Sequence, residues 1–443
     1  MSGAVARLFE LDARGTTIGR EVRGGLATFL TMAYILVANP AILSAAGVPA
    51  EAAVAATALT AGLASLLMGL GANAPIALAS GMGLNAVIAF QAAPAAGSWQ
   101  AAMGLVVLDG VIVLLFVLLG VREAVVRAIP LDLRRAIGAG IGLFIVFLGL
   151  VQARIVVVPS STVAALAASP GLTMPPVTGG DWSSPEPLIA ALGLLLGAVL
   201  LAQGRAGAML LAIAVSSLFA FATGHMAWSG AVVAWPRFET IFSADLRGAL
   251  QWKLVPLLFS LVLVDFFDTV GTVTAIGDAA GLTGKDGMMP QLRRVLGIDA
   301  VAAIIGGACG ASSATSYIES AAGVAEGART GLHSVVVGVL FLASMLLAPI
   351  ASAVPAVATA PALILTGLLM CREIGRIDVA ALDTAIPALL TIVMVPLTYS
   401  ISHGIGAGFV AFVAIKLLSG RWRDVHPLMA ASALTFAIFF AVA

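Results

Sequence analysis

APIALASGMGLNA (residues 74–86) and CGASSATSYIESAAG (residues 309–323) interrupt two of the apolar runs in a chain of 443 residues. Each opens with extended, small-residue sequence and then turns helical in character. Non-helical backbone is tolerated at membrane depth only where it is buried in protein or lines a cavity. Two such breaks therefore point to an interior site, provided that the rest of the chain is a membrane protein.

Composition supports that condition. Hydrophobic residues make up 61% and charged residues only 10%, split equally between 22 basic and 22 acidic side chains. Soluble domains carry about 25% charge. Mean hydropathy is +1.10. A water-soluble globule, a disordered chain and a basic nucleic-acid binder are all excluded, and no nucleic-acid partner is expected. Cys309 and Cys371 lie in or beside apolar runs and read as small buried hydrophobes.

Cutting the apolar runs at Gly, Pro and charge clusters gives spans at 25–45, 52–71, 75–93, 100–121, 135–155, 187–203, 206–223, 252–276, 293–309, 312–326, 331–352, 355–371, 380–399 and 403–418. A further stretch, 427–443, reads either as another span or as a surface helix. Residues 1–24 read as a cytoplasmic tail, not as a signal peptide. With the N-terminus inside, 18 of the 22 Lys and Arg fall on the cytoplasmic side, Arg122, Arg127 and Lys285 among them. Arg154, Arg237, Arg247 and Lys253 fall on the other. This asymmetry follows the positive-inside rule and fixes the expected orientation. Fourteen spans divide into two halves of seven, and an odd number forces the second half to enter inverted. The broken spans 3 and 10 occupy matching places, as in transporters built from inverted repeats.

Acids inside apolar spans cost about 2.5–3.5 kcal/mol each on insertion scales and are normally kept for a use. Asp109, Asp265, Asp268 and Glu319 stand out. Asp265 and Asp268, in LVLVDFFDTVGTV (261–273), share a helix face with Thr272, and Phe266 and Phe267 lie between them. Acids beside aromatic rings suit a flat, hydrogen-bond-donating heterocycle. A polar seam between helices is the plainer alternative. Glu319 follows the break in span 10, in the first turn of a half-helix whose dipole favours negative charge. A simple cap by Ser316 or Glu319 is the plainer alternative there. Span 3 offers Ser80, Met82, Gly83 and Asn85. Thr28 and Thr31 in span 1 more often bond their own helix, and His403 falls at a span end. No Walker A sequence, metal-ligand histidine pair or nucleophile elbow occurs, so neither an enzyme nor an ATP-driven pump is expected, and no cofactor or metal. An anion transporter of related architecture and a channel stay open on residue reading alone.

GGLATFLTMAYILVANPAILSAAG (24–47), PIALASGMGLNA (75–86), DFFDTVGT (265–272), TSYIESAAGVAEGARTGL (315–332) and AIPALLTIVMVPLTYSISHGI (385–405) resemble the AzgA-like purine permeases of the nucleobase–cation symporter (nucleobase–ascorbate transporter) family. The resemblance runs over nearly the whole chain. It implies an all-α polytopic membrane protein of about fourteen spans in two inverted repeats. A core domain would take 25–121 and 252–352, a gate domain 135–223 and 355–418, with 419–443 as a C-terminal apolar segment. It implies transport of hypoxanthine, guanine or adenine with a proton in the cell (inner) membrane, and suggests a homodimer. The family's binding residues fall on Asp268, Glu319, Gly83 and Asn85. Ser80 departs from the Pro of many relatives. The site expected from residues and resemblance together comprises these with Asp265, Met82, Ser80, Thr31, Thr272, Tyr317 and Ile318. Asp268 or Glu319 would take the proton.

Overall fold

The computed structural model describes residues 2–120, 128–169, 177–228, 230–282, 289 and 291–442. Arg122, Arg127 and Lys285, which entered the charge asymmetry, lie outside the described residues. Among the described residues helices predominate, joined by short strands and by irregular segments of which 225–228 and 230–245 are the longest. Its principal helices are α1 (Ile18–Met32), α2 (Ile35–Ser44), α3 (Ala50–Leu67), α4 (Met82–Val87), α5 (Trp99–Leu119), α6 (Leu131–Gln152), α7 (Pro185–Ala202) and α8 (Ala208–Ala222), followed by α9 (Val255–Ala279), α10 (Leu292–Cys309), α11 (Ser320–Ala325), α12 (Gly331–Ser344), α13 (Ala356–Met370), α14 (Leu382–Leu397), α15 (Ile401–Leu418) and α16 (Pro427–Val442). Among the described residues nine helical segments are long and apolar enough to cross a membrane, and 82–96, 208–222, 382–397 and 427–441 are shorter apolar helices.

Local chemistry sets many of the ends. Ser98, Thr330 and Ser400 cap α5, α12 and α15 by accepting from Ala101, Leu332 and His403 N–H, and Gly120 closes α5 at φ 69°. The first span differs from expectation at both ends. Its helix starts at Ile18 under a Thr17 cap, inside the supposed tail, and Glu21 is fully buried. The Glu21 carboxylate accepts from the N–H groups of Arg329, Thr330 and His333 at the start of α12, so it tethers the two segments. The span then breaks at Ala33–Tyr34 before α2 begins.

The two interruptions pair with each other. Strand β1 (Leu78–Ser80) runs antiparallel to β4 (Ala314–Ser316), with Ala79 opposite Thr315. A second small pair, β2 (Val156–Val157) with β3 (Thr178–Gly179), lies in the long 156–186 segment. Two strands of three residues leave most backbone groups unmatched, and every residue of β1 and β4 is buried. Side chains fill the deficit. Ser65 of α3 both receives from Leu78 N–H and donates to Leu78 C=O, at 3.0 and 3.1 Å. Ser334 of α12 donates to the carbonyls of Ala74 and Ile76. Ser320 accepts from Ala77 N–H. Ser80 and Asn39 both donate to Ala311 C=O.

The helices pack as two groups. One holds α1–α5 and α9–α12, the other α6–α8 and α13–α15. Within a group, helices meet backbone to backbone at glycine. A Cβ on Gly110 would lie 2.9 Å from Ala300 O, and one on Gly142 2.7 Å from Gly367 O. C-terminal α16 packs on α15 and touches α9, burying Met429 and Phe436.

Removing the Ser65 hydroxyl would leave Leu78 with an unpaired buried donor and acceptor, which costs about 1–3 kcal/mol per group. Ser65→Ala is expected to lower the thermal unfolding midpoint of detergent-purified protein by several degrees. Ser432→Ala, which loses only an exposed bond to its own helix, should leave it unchanged.

Candidate functional site

Helix α9 carries the first half of the site. Asp268 lies near its middle and is exposed, although the same helix is buried from Leu261 to Phe266. From Asp268 onward, exposure continues at Gly271, Ala275 and Asp278. Those spacings of three and four residues form one helix face. A stripe containing two carboxylates and a glycine is unsuited to lipid, so water along this face of α9 is the expected surrounding. Phe267, beside Asp268, is half-buried beneath the guanidinium of Arg134 on α6, 5.8 Å from the ring centre.

Glu319 carries the second half. It occupies the N-cap position of α11, directly beyond β4, yet its side chain makes no capping bond. The carboxylate accepts instead from Tyr34 O–H at 3.2 Å, and Tyr34 reaches it because the first span breaks at that residue. Asp268 lies within electrostatic reach of Glu319 and Tyr317. Ile318 is 50% exposed, and Gly83 is half-buried at the start of α4. A Cβ on Gly83 would fall 2.6 Å from Ile141 Cγ2, so the opposite helix group closes on the site here. At the other end the groups meet through aromatic rings: Tyr399 contacts Phe90, Phe144 and Phe147 at centroid distances of 6.0, 5.1 and 6.4 Å.

Asp268 and Glu319 thus lie within electrostatic reach of each other, and both they and the neighbouring Ile318 and Gly83 keep some exposed surface. The other expected residues serve differently. Ser80 braces the break, and Tyr317 donates to the Ser80 carbonyl. Met82 is buried in the apolar core. Thr31 donates to Ala27 and Thr28 carbonyls of its own helix, as threonines within helices commonly do. Thr272 is half-buried and joins no side-chain bond. Asp265 points away from the cleft: it is fully buried and no protein donor reaches either carboxyl oxygen. Its i, i+3 spacing from Asp268 places the two side chains about 60° apart around the helix, enough to put them on opposite sides of a packed wall. Asn85 is fully buried with its amide unpartnered.

Sequence reading missed the network behind the cleft. Asp299 of α10 accepts from Thr269 Oγ1 at 2.6 Å and from Ser316 Oγ at 2.7 Å. Thr269 also bonds Thr315 on β4. Asp299 sits close to Arg293 and Arg294 in sequence and so reads as part of a charged helix end; in the fold it is buried. Thr269 and Tyr34 had no signal beyond their polarity.

Water access along the α9 stripe is testable by thiol labelling, since thiolate chemistry needs an exposed cysteine. In a background with Cys309 and Cys371 replaced, Ala275→Cys is expected to react with a water-soluble maleimide many times faster than Ile276→Cys, which the fold buries completely. Equal rates would show that the stripe faces something other than water.

Comparison with known proteins agrees with this architecture. The Permease family model (Xan_ur_permease) matches residues 19–407. The chain is 39% identical to the adenine permease AdeQ of Escherichia coli K12, over 99% of this chain and 96% of that one. It is 38% identical to the guanine/hypoxanthine permease PbuO of Bacillus subtilis, over 98% of each. Among solved structures, the transmembrane domain of the cyanobacterial bicarbonate transporter BicA aligns with a TM-score of 0.62 at 18% identity, over 88% of this chain and 96% of that one. SLC26A9 aligns with a TM-score of 0.65 at 13% identity, over 91% and 66%. Those two likenesses concern the fold alone. Family match and full-length relatives together make this chain a member of the permease family, an integral membrane transporter of the branch that holds the AzgA-like purine permeases.

Proposed function

We propose that this permease carries purine nucleobases, adenine, guanine or hypoxanthine, across the cell (inner) membrane. The observation that carries the reading is the pair Asp268 and Glu319: two carboxylates facing one cleft between broken segments, in a chain where charge is scarce. Carboxylates accept hydrogen bonds, and a purine presents ring N–H and exocyclic amino donors on its edge. Asp268 and Glu319 take these donors. Backbone N–H groups near Met82 and Ile318 address the ring acceptors. Gly83 leaves room for a flat ring between the helix groups.

The division of the helices into two groups supports a transport cycle. Fourteen spans in two inverted repeats of seven would form a core, 25–121 with 252–352, and a gate, 135–223 with 355–418. The core moves against the gate in an elevator-like step. With the N-terminus in the cytoplasm, the cleft along α9 opens inward and the Tyr399 cluster closes the outer side. A proton accompanies the purine, because neutralising one buried acid removes a charge that is costly to move through lipid. A homodimer is the expected assembly. The likeness to a bicarbonate transporter raises an anion as a second candidate cargo; two carboxylates at the cleft disfavour it, since like charges at close range repel.

Uptake by cells expressing the protein tests the reading. Labelled hypoxanthine, competed by adenine, guanine, xanthine and uracil, should be displaced by purines and not by uracil or bicarbonate. Collapsing the proton gradient should abolish accumulation; uptake indifferent to the gradient would sink symport. Glu319→Gln turns half of a hydrogen-bond acceptor into a donor. A mispaired charged hydrogen bond costs about 1.5–3 kcal/mol, or about 10–150-fold in affinity. Unchanged affinity would remove Glu319 from the site.

A further inference from the structure

Two buried acids behind the cleft have no part in the site described above. Asp109 of α5 and Asp265 of α9 are both fully buried. Neither carboxyl receives a hydrogen bond from any described protein group. The side chains around them are apolar: Val113, Val262, Phe266 and Ala300 form one cluster at this junction. The three helices meet closely here, with Gly110 against the Ala300 carbonyl. Asp109, Asp265 and Asp299 lie near enough to act on one another electrostatically. Among the described residues no base offsets them. Asp109 is the only ionisable residue of α5, and the other acid on the neighbouring stretch of α9 is Asp268. On the gate side, the Arg134 guanidinium lies over Phe267, facing the cleft. Arg293 donates to Leu118 C=O, nine residues from Asp109 and so about 13 Å along α5. Asp245 and Arg247 sit at the opposite end, where Asp245 N–H meets Gln100 C=O. His333, buried in α12, is engaged with Thr28.

We propose that Asp109 and Asp265 are the proton-carrying pair of this permease, a site separate from the acids that face the substrate. The inference rests on the symport reading given above. Uncompensated charge in an apolar interior is costly, and two buried carboxylates within electrostatic reach of each other repel when both are ionised. An unpartnered pair in such surroundings is a place that favours a bound proton. Its link to the substrate runs through Asp299. That carboxylate holds Thr269 on α9 and Ser316 on β4, and Thr269 in turn holds Thr315. Thr269 is adjacent to Asp268, and Ser316 lies three residues before Glu319. Loss of a proton from the pair places a new negative charge against Asp299 and loosens its hold on β4, which positions Glu319. Uptake of a proton restores it. The exchange is RCOO⁻ + H⁺ ⇌ RCOOH, with water as donor and acceptor when the helices around the pair open.

The test uses full-length protein in proteoliposomes, with labelled adenine and labelled hypoxanthine as probes. Two activities are compared: accumulation driven by an imposed proton gradient, and gradient-free exchange against the same unlabelled purine inside. With one coupled proton, a gradient of about one pH unit sustains about tenfold accumulation. Asp109→Asn and Asp265→Asn are expected to lose that factor and to keep exchange within about twofold of wild type, since neither residue faces the substrate. Exchange serves as the control for folding. Variants that accumulate purine as wild type does overturn the proposal. So does loss of exchange in both variants, which would make the pair structural packing. Wild-type accumulation that ignores the gradient would overturn the symport reading itself, and is recognised before any variant is made.

Discussion

Everything at the site depends on how two stretches of non-helical backbone are satisfied away from water. Each unmade backbone hydrogen bond in such surroundings is costly. A ladder of three residues per strand is too short to meet the demand alone. Three serines from three different segments complete it: Ser65 at Leu78, Ser320 at Ala77, and Ser334 at Ala74 and Ile76. Because those serines lie on α3, at the start of α11 and on α12, the break can exist only when these elements are docked. The same docking sets Glu319 at the end of β4 and draws Asp299 to Ser316. Position of the acids is thus a consequence of backbone accounting.

Scarcity of charge then gives those acids their roles. The network separates two environments a few residues apart on one helix. Asp268 has open surface and Asp265 has none. Phe266 and Phe267 stand between them, with ring centres 5.5 Å apart. An acid with water access can exchange hydrogen bonds with a polar ligand at little cost. One in an apolar pocket responds chiefly to whether it carries a proton.

The legible part of the fold was its periodicity and its punctuation. Runs of apolar residue cut at Gly, Pro and charge located helices such as α10 and α13 to within a residue or two, because span length is imposed by the bilayer. The breaks were legible because small residues stand where Leu and Val would otherwise continue. At the site, Asp268 and Glu319 were readable as charges out of place. The rest was not, since it depends on contacts between distant segments. Ser65 and Ser334 are two small polar residues among many until the strand they serve is in position. Thr31 and Thr28 lie one turn apart and read alike, yet Thr31 bonds its own helix and Thr28 joins His333 and Gly323. The i, i+3 spacing of Asp265 and Asp268 suggests one shared wall, whereas the fold exposes Asp268 and buries Asp265 completely.

The two helix groups are joined by contacts of a different kind from those within each. Inside a group, backbones approach at Gly110 and Gly142, and hydroxyls bond across helices, so relative movement would break many directional bonds at once. Between groups the junctions at the site are side-chain tips: Ile141 on Gly83, Arg134 over Phe267, and Tyr399 among Phe90, Phe144 and Phe147. Aromatic pairs contribute about 0.5–1.5 kcal/mol and exposed cation–π contacts about 0.5–1 kcal/mol. Neither demands a single register. A seam built from such contacts can be parted at one end and re-formed at the other for a cost comparable with what a bound ligand supplies. The serine-braced breaks and the acids Asp268, Glu319 and Asp299 all belong to one of the two groups, so this seam does not pass between them.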